Sequence, residues 1–226
     1  MKNFSLNLLA LGSLTAAQAF GGSIVYSNTT TDIDESFSIV ANGFTQVGDQ
    51  IQLAGTDRLA TQAKVEFFNL GDSGTVDATL RLFNVGANVG TPVGSQIGSG
   101  IVLTGISAPG GSEFDATFAL PNLMVPDNLI FTLSIANQSA GVSVDGPELY
   151  NGPTIGTSDN TFAIGYDGTT FTKVMLPDPS NVFFELDATS ASQAAPEPAT
   201  LGLMASSLIG LAAFARMRAR KAGLRE

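Results

Sequence analysis

The segment IFTLSIA, residues Ile130–Ala136, alternates large apolar side chains with small ones at a period of two. In an extended chain this spacing gives one apolar face and one hydroxyl-bearing face, with Phe131, Leu133 and Ile135 opposite Thr132 and Ser134. Such alternation indicates an antiparallel strand with one buried face, since strands of parallel sheets are buried on both faces and run continuously apolar.

Other segments with alternating, β-branched or aromatic side chains predict further strands around 23–27, 36–41, 50–53, 64–67, 80–82, 100–104, 113–118, 141–144, 160–166 and 181–187. Turn-forming residues separate most of them, and no 3.6-residue apolar stripe runs between Phe20 and Ser190. The sequence therefore predicts an all-β domain over residues 20–190, an antiparallel β-sandwich with a jelly-roll-like arrangement.

Three local features carry more specific expectations. Tyr166-Asp167-Gly168-Thr169 predicts a hairpin with a type I′ turn, because Asp-Gly tolerates positive φ at both central positions. The glycine-rich stretch 86–100 predicts a flexible connection between strands. Phe183 falls on the polar face of its segment, which predicts either packing beneath a loop or an exposed contact patch.

The N-terminal segment 1–19 has the three parts of a secretory signal peptide. Lys2 gives a positive start, an apolar stretch follows, and Ala17-Gln18-Ala19 is an A-x-A cleavage pattern. Cleavage there would leave Phe20 as the mature N-terminus, so the sequence predicts export through the Sec machinery.

The C-terminal segment combines a proline-rich motif, an apolar run and a basic tip. Residues 191–195 are a linker to Pro196-Glu197-Pro198, and both prolines prevent a helix from starting before about residue 199. The uncharged run 199–215 would span ~26 Å as a helix, just short of a ~30 Å hydrocarbon core. Four basic residues then predict a cytoplasmic tip over residues 216–221: Arg216, Arg218, Arg220 and Lys221.

In this order, residues 196–221 resemble the PEP-CTERM protein-sorting signal. The resemblance implies recognition of the tail by exosortase, an integral-membrane cysteine protease of Gram-negative bacteria, and delivery of the exported part to the cell surface or extracellular matrix. It implies a transient attachment to the inner membrane through the helix 199–215. A plain membrane anchor or a buried C-terminal helix is the alternative interpretation of the same residues.

The charge of the segment 20–195 restricts its partners. It holds 18 of the 20 acidic residues and four of the ten basic ones, a formal charge of 4 − 18 = −14. Such a surface disfavours nucleic acid, which requires a basic footprint. The chain has no Cys and no His, so it forms no disulfide, no Ser-His-Asp or Cys-His nucleophile and no ordinary zinc site.

Carboxylates are the remaining candidates for chemistry. Two acidic clusters in predicted loops, Asp32-Ile33-Asp34-Glu35 and Asp145-Gly146-Pro147-Glu148, offer the oxygen ligands that Ca²⁺ takes, although neither has EF-hand spacing. Solvated acidic turns are the alternative interpretation. No catalytic residue or cofactor site other than this calcium candidate is predicted.

These features together predict an exported, non-enzymatic surface or matrix protein with a structural or adhesive role. A carbohydrate-binding module of the exopolysaccharide matrix is the alternative, by fold-level analogy. A glycosidase that uses two carboxyl groups alone is the third hypothesis.

Overall fold

The computed structural model describes residues 22–39, 42–88, 91–176 and 180–190. Within these ranges the chain forms fourteen β-strands and no helix. The predicted signal peptide, the linker and the sorting tail lie outside the described residues. The strands are β1 (Ser23–Asn28), β2 (Asp32–Ser36), β3 (Gln46–Gln52), β4 (Leu59–Asn69), β5 (Gly74–Asn88), β6 (Thr91–Ala108), β7 (Ser112–Met124), β8 (Asn128–Ala136), β9 (Val144–Tyr150), β10 (Thr157–Ser158), β11 (Phe162–Tyr166), β12 (Phe171–Met175), β13 (Asn181–Val182) and β14 (Phe184–Thr189).

The strands form two seven-stranded antiparallel sheets. In the first sheet the order is β1-β14-β4-β9-β13, with β2 paired to β9 and β7 paired to β4. In the second the order is β12-β11-β3-β8-β5-β6, with β10 paired to β3. The predicted all-β, antiparallel, sandwich-like fold is confirmed.

Alternation along the strands builds the main apolar core between the sheets. In β8, Phe131 and Leu133 are fully buried on this inner face. The prediction that β8 has only one buried face is wrong, because Ile130 and Thr132 are fully buried on the opposite face, where Ile130 belongs to a second, smaller apolar cluster. Phe131 stacks on Phe184 of the first sheet with ring centroids 3.9 Å apart and an interplanar angle of 8°. This stack joins the central strand of one sheet to the other, and the core cluster continues from it into most strands of both sheets.

The glycine-rich stretch 86–100 is not the predicted loop. Strand β5 continues to Asn88 and β6 begins at Thr91, so the stretch lies mostly within a long hairpin. The pairing of β5 with β6 contains four register irregularities, three of which fall in this stretch. Glycines are accommodated in strands at such bulges, where an extra residue bends the chain.

The Asp167-Gly168 hairpin is confirmed, but the type I′ turn is wrong. Tyr166 pairs with Phe171, so the connection has four residues. Gly168 has a φ of +100°, whereas Asp167 is not among the described residues with positive φ. The Asp167 carboxylate instead accepts hydrogen bonds from the backbone N–H groups of Thr169 and Thr170, at 2.7 and 2.8 Å.

Of the two alternatives predicted for Phe183, the structure shows packing and not an exposed patch. The strand breaks between β13 and β14, and the Phe183 ring packs against Tyr150 with centroids 4.9 Å apart. Two predicted strands need correction. The predicted strand 141–144 is a loop up to Val144, and the predicted strand 36–41 ends at Ser36 among the described residues.

We expect Phe131→Ala to lower the free energy of unfolding by ~3–5 kcal/mol, because it removes a ring from the interface between the sheets and leaves a cavity. Chemical denaturation measures this. Phe162→Ala is the control, since Phe162 is only partly buried in β11 and its truncation removes less apolar surface. Equal losses for the two variants would contradict the central role of the stack.

Candidate functional site

Four adjacent strands of the first sheet, β2, β9, β4 and β7, bring acidic side chains onto one outer face. Phe68 of β4 lies opposite Gly146 of β9 on one side and Glu113 of β7 on the other. Residues directly opposite one another in a sheet share a face, and so do residues two apart in a strand. Glu113 and Glu148 therefore lie on the same outer face, and Ser36 of β2 lies opposite Glu148.

Strand β2 reaches this face through a bulge. Asp32 pairs with Tyr150, but Glu35 already pairs with Leu149, so β2 contains two extra residues at this point. Asp34 adopts a left-handed φ of 56°, and its N–H donates to the Asp32 carboxylate at 2.8 Å. Bulges bend a strand and redirect its side chains, and this one places the Asp32 carboxylate beside the carboxylates of the neighbouring strands.

The chain beyond β2 stays close to β9 because position 146 is a glycine. A Cβ atom at Gly146 would lie 1.9 Å from the carbonyl oxygen of Phe37. Beside this contact, the Phe37 N–H donates to the Pro147 carbonyl and the Ile39 N–H donates to the Asp145 carbonyl, both at 2.9 Å. A larger residue at 146 would separate these backbones and open the edge of the site.

Three carboxylates converge at this face. Asp32, Glu113 and Glu148 each offer an oxygen, and these oxygens all lie within 4.8 Å of one another. Glu148 is only 2% exposed, whereas Asp32 is partly exposed and Glu113 is exposed. A cavity of about 240 Å³ adjoins them, lined by Asp34, Ser36, Phe68, Leu70, Glu113 and Glu148.

Burial and like charge raise the pKa values of Glu148 and Glu113. Removal from water raises the pKa of Glu148 to about 8, and the carboxylates of Glu113, Asp32, Glu66 and Asp145 add to the effect. The pKa of Glu113 is also raised, first by desolvation and then by the charges of Glu66 and Asp32. Carboxylates this close cannot all ionise without a compensating positive charge.

The neighbouring polar groups are engaged elsewhere. The Tyr150 hydroxyl donates to Glu66 at 2.6 Å, although burial still raises the pKa of the Glu66 carboxyl. The Lys64 ammonium forms an ion pair with Asp115 at 2.9 Å and lies over the Phe183 ring, 5.4 Å from its centroid.

The structure joins the two acidic clusters that the sequence analysis kept apart. Asp32 and Glu148 meet, and Asp34 lines the adjoining cavity. Glu35 is exposed and lies outside the three-carboxylate cluster. Asp145 also lies outside it and accepts a hydrogen bond from the Ser36 hydroxyl at 3.3 Å.

Sequence reasoning missed Glu113. Glu113 lies in a predicted strand, where alternate side chains face solvent, and it is distant in sequence from both acidic clusters. Its place in the cluster follows from the register of β7 on β4, with Phe68 opposite Glu113. No local sequence signal specifies that register.

A second buried carboxyl group, Asp49, was also missed. It lies between Val47 and Ile51 on the inward face of β3 and is 1% exposed. Its Oδ2 atom has no hydrogen-bond partner in the described part of the chain, and burial raises the pKa of Asp49 well above the usual range. The pattern Val-x-Asp-x-Ile was the available signal, because alternation places the aspartate on the apolar face.

The predicted signal-cleavage residues, the Pro196-Glu197-Pro198 motif and the basic tip lie outside the described residues. Within the part of the chain that is described, no helix is both long and apolar enough to cross a membrane. No family model matches the chain, and no curated protein or solved structure matches it.

The cluster supports two kinds of chemistry. Three oxygen ligands of hard character can bind a divalent cation of the calcium type. Alternatively, one carboxyl group that keeps its proton beside ionised neighbours can act as a general acid.

The raised pKa of Glu148 predicts a pH-dependent stability in the presence of a chelator. The usual pKa of a glutamate is 4.5, and that of folded Glu148 is about 8. Between these values the unfolded chain releases a proton that the folded chain retains, so the free energy of unfolding falls as the pH rises. Glu148→Gln removes this contribution.

We expect chelator-treated wild-type protein to lose on the order of 2 kcal/mol of stability between about pH 5 and about pH 8, and Glu148→Gln to lose distinctly less. Denaturant titrations at several pH values measure the difference. Glu185→Gln, the same change on β14 of the same sheet, is the control and should follow the wild type. Identical profiles for Glu148→Gln and wild type would show that Glu148 ionises normally.

Proposed function

We propose that this chain is an exported cell-surface or extracellular-matrix protein with a structural or adhesive role, sorted by an exosortase-type protease through its C-terminal tail. The signal peptide 1–19 directs export, and the helix 199–215 holds the precursor in the inner membrane. The exported part is the β-sandwich, with a jelly-roll-like arrangement of its strands.

The proposal rests on the order in which three sequence features follow one another in the C-terminal tail. Pro196-Glu197-Pro198, an uncharged run of 17 residues and the basic tip follow one another. The apolar run confines the precursor to the membrane, and the basic residues fix its orientation. The prolines keep the motif extended, which is the conformation that a protease active site accepts.

The pairing of the first and last strands supports processing at both ends. Strand β1 pairs with β14, and Ser23 lies opposite Ala188. The chain therefore enters and leaves the β-sandwich at one end of the same strand pair. Removing the segments before Phe20 and after the tail motif would cut no described strand.

A carbohydrate-binding role is the second candidate. The cavity beside the acidic cluster combines hydrogen-bond acceptors with the apolar side chains of Phe68 and Leu70, and Leu70 is 63% exposed. Sugars present hydroxyl donors and apolar ring faces to such surfaces. Binding to matrix polysaccharide that is lost in Leu70→Asp, and kept in the control Met175→Asp on β12, would establish this role.

The glycosidase hypothesis now has a specific pair to test. Glu113 and Glu148 are close, and Glu148 has the raised pKa that a general acid requires. Hydrolysis of matrix polysaccharide by the wild type, abolished in both Glu113→Gln and Glu148→Gln, is the result that would replace the non-enzymatic role with this one.

The sorting proposal predicts that Glu197→Ala blocks processing. In the native host, mass spectrometry of the wild-type protein should find a chain that begins near Phe20 and lacks residues 216–226. The variant should retain the tail and stay in the membrane fraction, because the motif that the protease recognises is changed. Glu226→Ala, which removes the same side chain beyond the basic tip, should be processed like the wild type.

If the wild-type protein keeps its C-terminus and stays in the membrane fraction, the sorting proposal is wrong and the tail is a simple membrane anchor. If Glu197→Ala is processed as the wild type is, the protease does not recognise the chain through the glutamate of the Pro-Glu-Pro motif.

A further inference from the structure

The acidic cluster has the dimensions of a calcium site. Ca²⁺ binds oxygen at ~2.3–2.6 Å, so two oxygens on opposite sides of one ion lie ~5 Å apart. The oxygens of Asp32, Glu113 and Glu148 lie within 4.8 Å of one another. An ion at their centre can therefore contact all three without a rearrangement of the strands.

A second observation that points to a bound cation concerns a buried oxygen atom of Glu148. Glu148 lines the cavity and is 2% exposed, yet no group among the described residues donates a hydrogen bond to its Oε1 atom. A buried carboxyl oxygen without a donor is costly, because it has lost its hydration and gained nothing in exchange. A cation bound in the cavity would supply the missing interaction.

No basic side chain of the described residues supplies that interaction. Within those residues the two ion pairs join Arg58 to Asp127 and Lys64 to Asp115. The remaining described cations, Arg81 and Lys173, contact the Ser134 hydroxyl and the Phe162 ring. The described residues therefore supply no positive charge to the cluster, and a bound cation would supply one.

We propose that Asp32, Glu113 and Glu148 bind one Ca²⁺ ion where β2, β9 and β7 converge on the outer face of the first sheet. Oxygen ligands without imidazole or thiolate favour a hard cation, and the chain contains no His or Cys. The flexible, partly exposed side chains of Asp32 and Glu113 suit calcium better than magnesium, which demands near-ideal octahedral geometry. The carboxylate of Asp34 and the hydroxyl of Ser36 line the cavity as further oxygen donors.

The ion would fasten β2 to the sheet. Among the described residues β2 pairs only with β9, and this pairing is interrupted by the bulge. Calcium shared with Glu113 would connect β2 to β7 across the intervening strands. All residues of the proposed site are among those that the structure describes, and the site does not depend on the sorting proposal.

Calcium titration of the full chain in mild detergent tests the site. Isothermal titration calorimetry should show one Ca²⁺ per chain, and Ca²⁺ should raise the melting temperature by several degrees over chelator-treated protein, since a ligand that binds only the folded state stabilises it. Mg²⁺ at the same concentration should give a much smaller shift.

Two variants locate the ion. Glu148→Gln and Glu113→Gln should each weaken calcium binding by about tenfold or more, because each removes a charged ligand. Glu113 is exposed, so its variant tests the site even if the buried substitution disturbs folding. Glu185→Gln is the matched control and should bind as the wild type does.

Three results would overturn the proposal. Wild-type protein that neither binds Ca²⁺ nor melts higher with it would remove the site. Wild-type affinity in both Glu113→Gln and Glu148→Gln would place any bound calcium elsewhere. Equal stabilisation by Mg²⁺ and Ca²⁺ would reject the assignment to calcium.

Discussion

The stack of Phe131 on Phe184 lies in the main apolar core, which the two sheets share and on whose burial the rest of the structure depends. With no disulfide and no helix among the described residues to cover an open face, the sheets must bury their apolar faces against each other. Most charged side chains then fall on the outer faces. The acidic cluster is a consequence, because β2 pairs with β9 and brings Asp32 beside the buried Glu148 on the outer face of the first sheet.

The sequence predicted the parts of the fold that depend on local pattern. Alternation in residues 130–136 predicted the apolar face of β8 but not the burial of its opposite face, which includes Thr132. Turn chemistry placed the hairpin at Asp167-Gly168. The prediction of a flexible connection over residues 86–100 was wrong, because cross-strand hydrogen bonds and bulges override the preference of glycine for loops. Sequence reasoning also missed Glu113, since the register that sets Glu113 opposite Phe68 depends on pairing between distant segments.

The two functional proposals also differ in whether they rest on local sequence or on contacts between distant segments. The proposed sorting tail is a linear motif, read from the order of its residues, and the β-sandwich bears on it only by bringing β1 and β14 together. The proposed calcium site depends on folding, since Asp32 and Glu148 are 116 positions apart in the chain. With a formal charge of −14 between residues 20 and 195, a bound cation would also reduce the electrostatic repulsion within this part of the chain.

A crystal structure of the protein grown with Ca²⁺, with anomalous diffraction data, is the decisive test of whether a cation compensates the buried carboxylate of Glu148. We expect an anomalous peak ~2.3–2.6 Å from carboxylate oxygens of Asp32, Glu113 and Glu148. If no peak lies there and Glu148 is protonated and hydrogen-bonded to a neighbouring carboxylate, the carboxyl groups are held together by shared protons and the calcium site is wrong.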